Sequence, residues 1–393
     1  MFASRPIAPA TQQMPYWRLS AYYFFYFASL GALVPYWGLY LQSKGFDALA
    51  IGQLMAILSL TKIVAPMLWG HIVDHSGQRM RMVRLGSLGS VFAFLAVFAA
   101  SGFWTMVAAM LLFSFFWNAS LPQVEAVTFN HLRRRSTGYA LVRLWGSIGF
   151  VLVVTLLGLS LGGDGFDRVP VWILVLLVAI WLSTLVIPDS APATTHAPIE
   201  SLRRLLRRPE VLAFFATCFL MQLSHGIYYA FYSIHLTAAG YSGAAVGNLW
   251  ALGVVAEVLV FLAMRPLLER YGARRVILWS LALAVVRWTA IGACVDILAV
   301  QVLAQILHAA TFGIFHAAAI HAVHHAFPGP TQGRGQALYN SLGFGAGGAA
   351  GNLIGGLLWS GWGPFVTFGV GAAAAAVGLL IAWRWLRGDW CET

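Results

Sequence analysis

The chain has 393 residues, of which 60% are hydrophobic and only 9% are charged. Soluble domains carry roughly 45–50% apolar and about 25% charged residues, so this composition excludes an ordinary soluble protein. The formal net charge of +11 is spread over short gaps between apolar runs, and no basic domain is left to hold a nucleic acid. Cys218, Cys294 and Cys391 lack the spacing of a zinc site or a disulfide framework, so we expect them to act as packing residues.

The apolar runs predict transmembrane helices, because an α-helix needs about 20 residues to cross a hydrocarbon core of ~30 Å. Charged or Pro- and Gly-rich gaps divide the chain into twelve such spans, so the fold class is all-α integral membrane. The first run is too long for the core of a signal peptide and is expected to remain as a helix. The predicted spans are 17–42, 49–71, 82–101, 103–130, 138–161, 170–188, 211–238, 244–264, 275–294, 298–323, 335–359 and 363–387.

The distribution of basic residues predicts the orientation of these spans. The gaps on the side of the two termini hold 19 of the 24 Lys and Arg residues, the opposite gaps hold Lys44 and Arg168, and three residues lie inside spans. Short basic loops are retained in the cytoplasm, so both termini are predicted to be cytoplasmic. The minimal loops favour a bacterial inner membrane, and we expect a monomer whose partners are membrane lipid and a small-molecule substrate.

An internal repeat divides the chain. An offset of 195 residues aligns glycines and charged loop residues, and it predicts two pseudo-symmetric six-helix halves. The halves are residues 1–188 and 210–393, and residues 189–209 form a basic cytoplasmic linker. The pairs that support the repeat are Gly31 and Gly226, Gly45 and Gly240, Gly52 and Gly247, Asp74 and Glu269, Gly77 and Gly272, and Arg79 and Arg274.

The loop 70–79, with the sequence GHIVDHSGQR, resembles the signature between the second and third helices of the major facilitator superfamily. Gly77 allows a tight turn, Asp74 can accept a hydrogen bond from a helix N-terminus, and Arg79 can pair with a carboxylate or a lipid phosphate. Glu269 and Arg274 belong to a weaker second copy. The resemblance implies that this loop gates transport, and that substrate binds at the midplane between two six-helix halves.

Five ionisable residues lie inside predicted spans, where each costs about 2.5–3.5 kcal/mol on insertion scales. Glu125 and Arg143 are equally far from the turn between spans 4 and 5, so they are expected to form a buried pair. Glu257 and Arg287 both lie toward the middle of the second half, and Lys62 aligns with Glu257 in the repeat. These residues are candidates for substrate binding or proton coupling, and the alternative is that the two pairs only stabilise the assembly.

Span 10 contains His308 and His316, whose spacing of eight residues places both on nearly one helix face. Imidazole titrates near neutral pH, so a histidine beside a carboxylate can relay a proton. A second group, His321, His324 and His325, lies near the cytoplasmic end of the span. No cysteine or carboxylate completes a metal shell there, so neither a metal site nor a cofactor is predicted.

Polar and aromatic residues interleave in spans 1 and 7, the pair expected to line a central cavity. Tyr26 and Tyr229 are the leading candidates for cavity positions. Membrane aromatics also pack or lie at the interface, so several of their neighbours are expected to be structural. The further candidates for substrate binding are Trp117, Asn118, Gln222 and His225.

The order of charged residues along the spans resembles the lactose permease type of proton symporter, and segment 138–149, GYALVRLWGSIG, resembles the 3-phenylpropionate permease branch. The resemblance covers essentially the whole chain. It implies that Glu125, Arg143 and Glu257 surround the substrate, and that Arg287 and a histidine of span 10 are coupled to the proton.

One departure from the lactose permease pattern concerns span 10. Lactose permease has a carboxylate one turn after its histidine, whereas Thr311 follows His308 and Ala319 follows His316 at that spacing. The proton must therefore be carried elsewhere, and Glu257 is the leading candidate.

The sequence thus predicts proton-coupled symport of a small organic solute, with an aromatic carboxylate such as 3-phenylpropionate as the first candidate. Alternating access would move the substrate, with the two halves rocking around the midplane. Symport of a sugar or a nucleoside remains open, as does export by proton antiport. A membrane enzyme would need a nucleophile with its base, a metal shell or a soluble domain, and the sequence offers none of these.

Overall fold

The computed structural model describes residues 14–132, 136–162, 165–189 and 205–386. Residues 14–189 are called the N-terminal segment below, and residues 205–386 the C-terminal segment. Within the described ranges the chain is helical apart from short connections, and no β-strand occurs. Arg133 to Arg135 of the basic turn, residues 190–204 of the predicted linker and Cys391 lie outside the described residues.

Ten helices of the described chain are long and apolar enough to cross a membrane. Most of their ends lie within a few residues of the predicted span ends, because the charged gaps that limit an apolar run also limit the helix. The helices are α1 Tyr16–Ser43, α2 Ala48–Ser76, α3 Arg79–Ala99, α4 Phe103–Leu132, α5 Ser136–Ser160, α6 Val169–Leu185, α7 Pro209–Ala238, α8 Gly243–Ala293, α9 Leu298–Ala326 and α10 Gln332–Trp385.

Two of these helices are interrupted by a glycine with non-helical geometry. Gly272 in α8 has φ 73° and ψ 153°, and Gly363 in α10 has φ 76° and ψ 174°. L-residues rarely adopt positive φ, so glycine is the residue that allows these breaks. Each break leaves two arms of at least about 20 residues, the length that crosses a bilayer once.

The loops before α2 and α8 have the same geometry, 195 residues apart. Gly45 and Gly240 have φ values of 83° and 88°. Two residues after each glycine, Asp47 and Ser242 cap the helix N-termini. Each side chain accepts a hydrogen bond from the backbone amide three residues further on, at 2.8 Å for Asp47 and 3.2 Å for Ser242. The aligned residues therefore occupy equivalent positions in the fold.

The two segments approach each other closely at the end that carries these loops. A Cβ atom added to Gly52 of α2 would lie 2.8 Å from the Cα atom of Gly356 in α10. One added to Gly158 of α5 would lie 2.6 Å from the carbonyl oxygen of Gly243 in α8. Only glycine permits backbones to pack this tightly, as in other membrane helix pairs. This is the end that carries Lys44 and is predicted to face away from the cytoplasm.

Candidate functional site

Glu125 on α4 and Arg143 on α5 interact electrostatically, but within the described ranges they do not form the ion pair predicted from their equal depth. Glu125 accepts a hydrogen bond from the Tyr139 hydroxyl at 3.1 Å. Arg143 lies over the ring of Phe27 on α1, with its Cζ atom 3.5 Å from the ring centroid. The rotation of α5 thus directs the guanidinium toward α1, and equal depth alone could not reveal that rotation.

The position of Arg143 depends on Gly146, one turn later on α5. A Cβ atom at Gly146 would lie 2.6 Å from Cδ2 of Phe27 and 2.9 Å from Nη1 of Arg143. The guanidinium has a cation–π contact and no hydrogen bond or ion pair to any described residue. Its donors are therefore available to an incoming anion.

An aromatic wall, consisting of Tyr22, Tyr26, Phe113 and Trp117, lies beside these charges. Tyr26 stacks on Trp117 with a centroid distance of 5.0 Å and an interplanar angle of 11°. Trp117 stacks on Phe113 at 5.7 Å, and Tyr22 stacks on Tyr26 at 5.8 Å. Tyr26 interacts electrostatically with both Glu125 and Arg143. The wall places a rigid aromatic face next to a cation.

In the C-terminal segment, Glu257 on α8 lies 4.0 Å from His308 on α9, measured from Oε2 to Nε2. The Glu257 side chain is mostly buried, with 18% of its surface exposed. Tyr229 on α7 interacts electrostatically with Glu257 and stacks on Trp250 with ring centroids 6.1 Å apart. A carboxylate, an imidazole and a second aromatic pair thus lie together.

Arg143 connects the two groups. It interacts electrostatically with Glu257 on α8 and with His316 on α9, as well as with Glu125 in its own segment. Arg143 is therefore in electrostatic range of a carboxylate from each segment. The candidate site lies where the two segments face each other.

The histidines of α9 lie on one face, as their spacing predicted. The His308 ring is parallel to Phe312 within 6° at a centroid distance of 5.2 Å, and Phe312 is parallel to His316 within 8° at 6.2 Å. His316 Nδ1 lies 2.8 Å from the hydroxyl of Tyr339. Residues Ala309–Ile314 between the histidines form a π-helical turn, which the sequence analysis did not predict.

The predicted pairing of Glu257 with Arg287 is wrong. Arg287 is fully buried and donates hydrogen bonds to the Ala304 carbonyl oxygen at 2.8 Å and to Thr311 Oγ1 at 3.0 Å. Its Cζ atom lies 4.4 Å from the Trp288 ring centroid. The second arm of α8 packs this side chain against α9, away from the first arm that carries Glu257.

Two predicted substrate ligands are engaged in helix packing instead. Asn118 donates to Thr61 Oγ1 at 2.9 Å and to the Leu58 carbonyl oxygen at 3.3 Å, so it joins α4 to α2. His225 is fully buried, and its Nδ1 lies 2.9 Å from the Met221 carbonyl oxygen within α7. Short polar side chains inside a membrane bundle commonly bond to neighbouring backbone in this way.

Gln222 and Lys62 have a different setting. Gln222 lies against the glycine-rich part of α10, where a Cβ atom at Gly343 would approach its Cγ to 3.4 Å. Lys62 is partly buried and has no hydrogen bond or ion pair with any described residue. An unpaired ammonium group inside a membrane protein is costly, so Lys62 remains a candidate for contact with a ligand or with water.

The signature loop pairs its own charges. Arg79 lies 4.0 Å from Asp74, and Gly77 caps α2 in the left-handed conformation, with φ 66° and its amide bonded to the Val73 carbonyl oxygen. Asp74 is mostly exposed, and among the described bonds it does not cap the N-terminus of a helix as predicted. The turn follows the prediction, whereas the capping role of Asp74 does not.

The second copy of the signature uses different partners. Glu269 accepts from Arg265 one turn earlier at 2.8 Å. Arg274 donates to the Trp383 carbonyl oxygen near the end of α10 at 3.2 Å. The equivalent charges therefore hold helix ends in the C-terminal segment rather than pairing with each other.

The remaining histidines do not gather a ligand set. In the described part of the chain, no group of three or more His, Cys, Asp or Glu side chains is arranged to hold a metal ion. His321, His324 and His325 lie near the end of α9, and all three are exposed.

Several residues of the site were not identified from the sequence. Tyr139 donates a hydrogen bond to Glu125, and the ring of Phe27 packs against Arg143. Gly313 leaves space for Glu257, since a Cβ atom at Gly313 would lie 2.8 Å from the Cγ atom of Glu257. A tyrosine, a phenylalanine and a glycine are common in any membrane helix, so only their spatial contacts distinguish them.

Comparisons with known proteins agree with this architecture. The MFS_1-like family model matches residues 16–370. The chain is 32% identical over 344 residues to the probable 3-phenylpropionic acid transporter of Escherichia coli, covering 86% of this chain and 89% of that protein. It is 27% identical over 349 residues to the maltose permease of Geobacillus stearothermophilus, covering 87% of each.

Solved structures show the same fold. The crystal structure of the nucleoside transporter NupG superposes with a TM-score of 0.79 at 18% sequence identity, covering 95% of this chain and 99% of that chain. The chain therefore belongs to the MFS_1-like family of the major facilitator superfamily, and it is a membrane transporter rather than an enzyme.

Proposed function

We propose that this protein is a proton-coupled symporter of a small aromatic carboxylate. The observation that carries the proposal is the setting of Arg143. Its guanidinium lies on Phe27 without a hydrogen bond to any residue that the structure describes, beside Tyr26, and in electrostatic range of Glu125 and Glu257. A free fork of donors next to an aromatic wall suits a ligand that carries a carboxylate and a ring.

The proposal includes twelve transmembrane helices. The glycine breaks in α8 and α10 divide each into two arms, so ten long helices provide twelve crossings. The repeated loops before α2 and α8 support two six-helix halves, residues 1–188 and 210–393, with residues 189–209 as the linker. In a bacterial inner membrane, both termini would face the cytoplasm and the protein would act as a monomer.

The close glycine contacts suggest the conformation. They join the segments at the end that carries Lys44, which the positive-inside rule places outside the cytoplasm. The cavity between the segments would then open to the cytoplasm. Rocking of the halves would separate these contacts and expose the site to the other side.

In the proposed binding mode, Arg143 takes the substrate carboxylate bidentately and Tyr26 packs against the ring. Aromatic contacts of this kind contribute about 0.5–1.5 kcal/mol beyond area burial. Tyr229 and Gln222 would complete the pocket from the C-terminal segment. The 3-phenylpropionic acid named for one relative has this chemistry, a carboxylate and a ring.

Glu257 is the proposed proton carrier. It is the carboxylate of the C-terminal segment that Arg143 reaches, and His308 lies 4.0 Å away. A substrate carboxylate bound to Arg143 would weaken the attraction between Arg143 and Glu257, and it would thereby link substrate binding to the proton. The substrate carboxylate would likewise compete with Glu125 for the positive charge of Arg143.

The test is uptake of radiolabelled 3-phenylpropionate, maltose and uridine into proteoliposomes, with and without an imposed inward proton gradient. We expect gradient-driven accumulation of the aromatic acid alone. Accumulation of the sugar or the nucleoside instead would assign the same coupling to another substrate. Expulsion of preloaded substrate by the inward gradient would contradict symport and favour an exporter. Protein-free liposomes control for diffusion of the undissociated acid.

A further inference from the structure

Arg287 has an unusual environment for a charged residue inside a membrane. It is fully buried in the C-terminal segment, and no carboxylate forms an ion pair with it among the described residues. Tyr228 and Trp288 lie against its guanidinium, with ring centroids 4.5 and 4.4 Å from Cζ. The substrate site does not use this cation, so its task lies elsewhere.

The two hydrogen bonds of Arg287 both end on α9. Nε donates to the carbonyl oxygen of Ala304 at 2.8 Å, and Nη1 donates to Thr311 Oγ1 at 3.0 Å. Ala304 precedes the π-helical turn Ala309–Ile314, and Thr311 lies within it. A planar guanidinium with fixed donor directions holds these two acceptors at a set separation, which a flexible ammonium cannot do.

The π-helical turn determines what α9 presents to Glu257. His308 ends the preceding α-helical stretch, with Nε2 4.0 Å from Glu257 Oε2. Gly313, inside the turn, lies so close to Glu257 that a Cβ atom would approach its Cγ to 2.8 Å. Single π-helical turns occur often at functional sites, because they shift the register of a helix face. A regular α-helix would rotate His308 and Gly313 relative to each other.

We propose that Arg287 is a positioning residue that holds the π-helical turn of α9 and thereby sets the proton affinity of Glu257 without touching it. This inference rests on the proposed function in one respect, that Glu257 is the proton carrier. In this proposal, the Thr311 hydroxyl connects Arg287 to the π-helical turn by accepting a hydrogen bond from Nη1.

The groups that face Glu257 come from three other helices. His308 of α9 lies 4.0 Å away, and Tyr229 of α7 and Arg143 of α5 both interact with it electrostatically. Arg287 is not one of them. Arg287 also acts electrostatically on His308 and Tyr229, and Arg287→Lys keeps that charge. Thr311 carries no charge, so a change at Thr311 reaches Glu257 through the position of α9.

Infrared difference spectroscopy tests this link without measuring transport. The purified full-length protein is titrated in detergent, and the carboxylic C=O band of Glu257 is assigned by its loss in Glu257→Gln. Thr311→Val removes the acceptor of Nη1 with little change in size, Thr311→Ser retains it, and Arg287→Lys keeps the charge without the fork. We expect Thr311→Val and Arg287→Lys to move the titration midpoint of Glu257 by about one pH unit. Carboxyl pKa values in folded proteins typically vary by this amount with their surroundings.

Thr311→Ser is the matched control and should keep the wild-type midpoint. Unchanged midpoints in both Thr311→Val and Arg287→Lys would overturn the inference, and so would the absence of any band that Glu257→Gln removes. If Arg287→Lys does not fold, Thr311→Val decides alone. A moved midpoint in a protein whose uptake ignores the proton gradient would support the positioning role and reject the proposed symport, so the two failures are distinguishable.

Discussion

Two arginines inside the membrane, Arg143 in the N-terminal segment and Arg287 in the C-terminal segment, have opposite surroundings. Arg143 is partly exposed, rests on one aromatic ring and has no hydrogen bond within the described part of the chain, but it interacts electrostatically with carboxylates in both segments. Arg287 is fully buried, has two hydrogen bonds and two aromatic neighbours, and has no carboxylate partner among the described residues.

This difference is the reason for proposing a binding role for Arg143 and an architectural role for Arg287. A buried cation is stabilised by bonds that a ligand cannot displace, so it contributes to a fixed geometry. A partly exposed cation with unused donors can exchange partners during a transport cycle. Charge inside a membrane therefore identifies a candidate, and the surroundings of the charge identify its task.

The largest expected effect concerns Glu257, the carboxylate of the C-terminal segment with which Arg143 interacts electrostatically. Glu257→Gln removes the proposed proton carrier but keeps the shape and the hydrogen-bonding capacity of the side chain. Exchange of labelled for unlabelled substrate should continue, whereas uphill accumulation driven by a proton gradient should be abolished. Uptake and counterflow in the same proteoliposome preparation measure both, and a Glu257→Gln protein that still concentrates substrate would reject Glu257 as the carrier.

The second prediction compares the two arginines directly. Arg143→Gln removes a charge-assisted, bidentate contact worth about 3 kcal/mol, so kcat/KM for the aromatic carboxylate should fall roughly 100-fold. Its thermal stability should change little, because Arg143 has no hydrogen bond to lose among the residues that the structure describes. For Arg287→Gln we expect the opposite, with a clear fall in the unfolding temperature and a smaller direct effect on kcat/KM. Equal losses of stability in both variants, measured by thermal melts, would remove the distinction.

The third prediction concerns the contact between the two segments. Gly158→Val places a side chain where a Cβ atom would lie 2.6 Å from the Gly243 carbonyl oxygen, so α5 and α8 cannot close. Uptake should fall at least about tenfold, because the free energy of the closed state would rise by more than about 1.4 kcal/mol. Gly162→Val is the control, since nothing lies within 4 Å of a Cβ atom there. Similar uptake by both variants would indicate that this contact does not open and close.

A surface cation provides the smallest effect. The Lys44 ammonium lies 2.7 Å from Asp167, and this hydrogen bond raises the pKa of Lys44 above its ordinary value of 10.5. The pair therefore stabilises the fold below that value, and the contribution is lost as pH rises through the raised pKa. Because both side chains are exposed, Lys44→Gln should cost at most about 0.5 kcal/mol at pH 7. Melting curves at neutral and strongly alkaline pH should show the difference from wild type disappearing, and a difference that grows with pH would contradict this assignment.

Most of the fold could be predicted from the sequence, because membrane insertion depends on quantities that a sequence displays. Apolar length defines the helices, and loop charge predicts their orientation. The repeat also indicated which loops correspond, and Gly45 and Gly240 indeed have the same left-handed geometry. These features depend on composition and spacing, and not on how each helix is rotated.

The candidate site was less predictable because a membrane helix is apolar on every side. Without an amphipathic stripe, periodicity does not reveal which face meets a neighbour. Glu257 and Arg287 were expected to pair because both lie toward the middle of the second half, yet packing turns Arg287 toward Thr311. Asn118 likewise was expected in the cavity and instead bonds to Thr61. Helix rotation, and the π-helical turn in α9, follow from packing between distant segments.

The most direct test of proton-coupled symport is the pH change that accompanies substrate entry. Proteoliposomes in weakly buffered medium receive 3-phenylpropionate without an imposed gradient, and a pH electrode records the external medium. Wild-type protein should make the medium alkaline as protons enter with the substrate, beyond the change in protein-free liposomes, and Glu257→Gln should not. Substrate entry without a pH change beyond that of protein-free liposomes, or with acidification of the medium, would contradict symport.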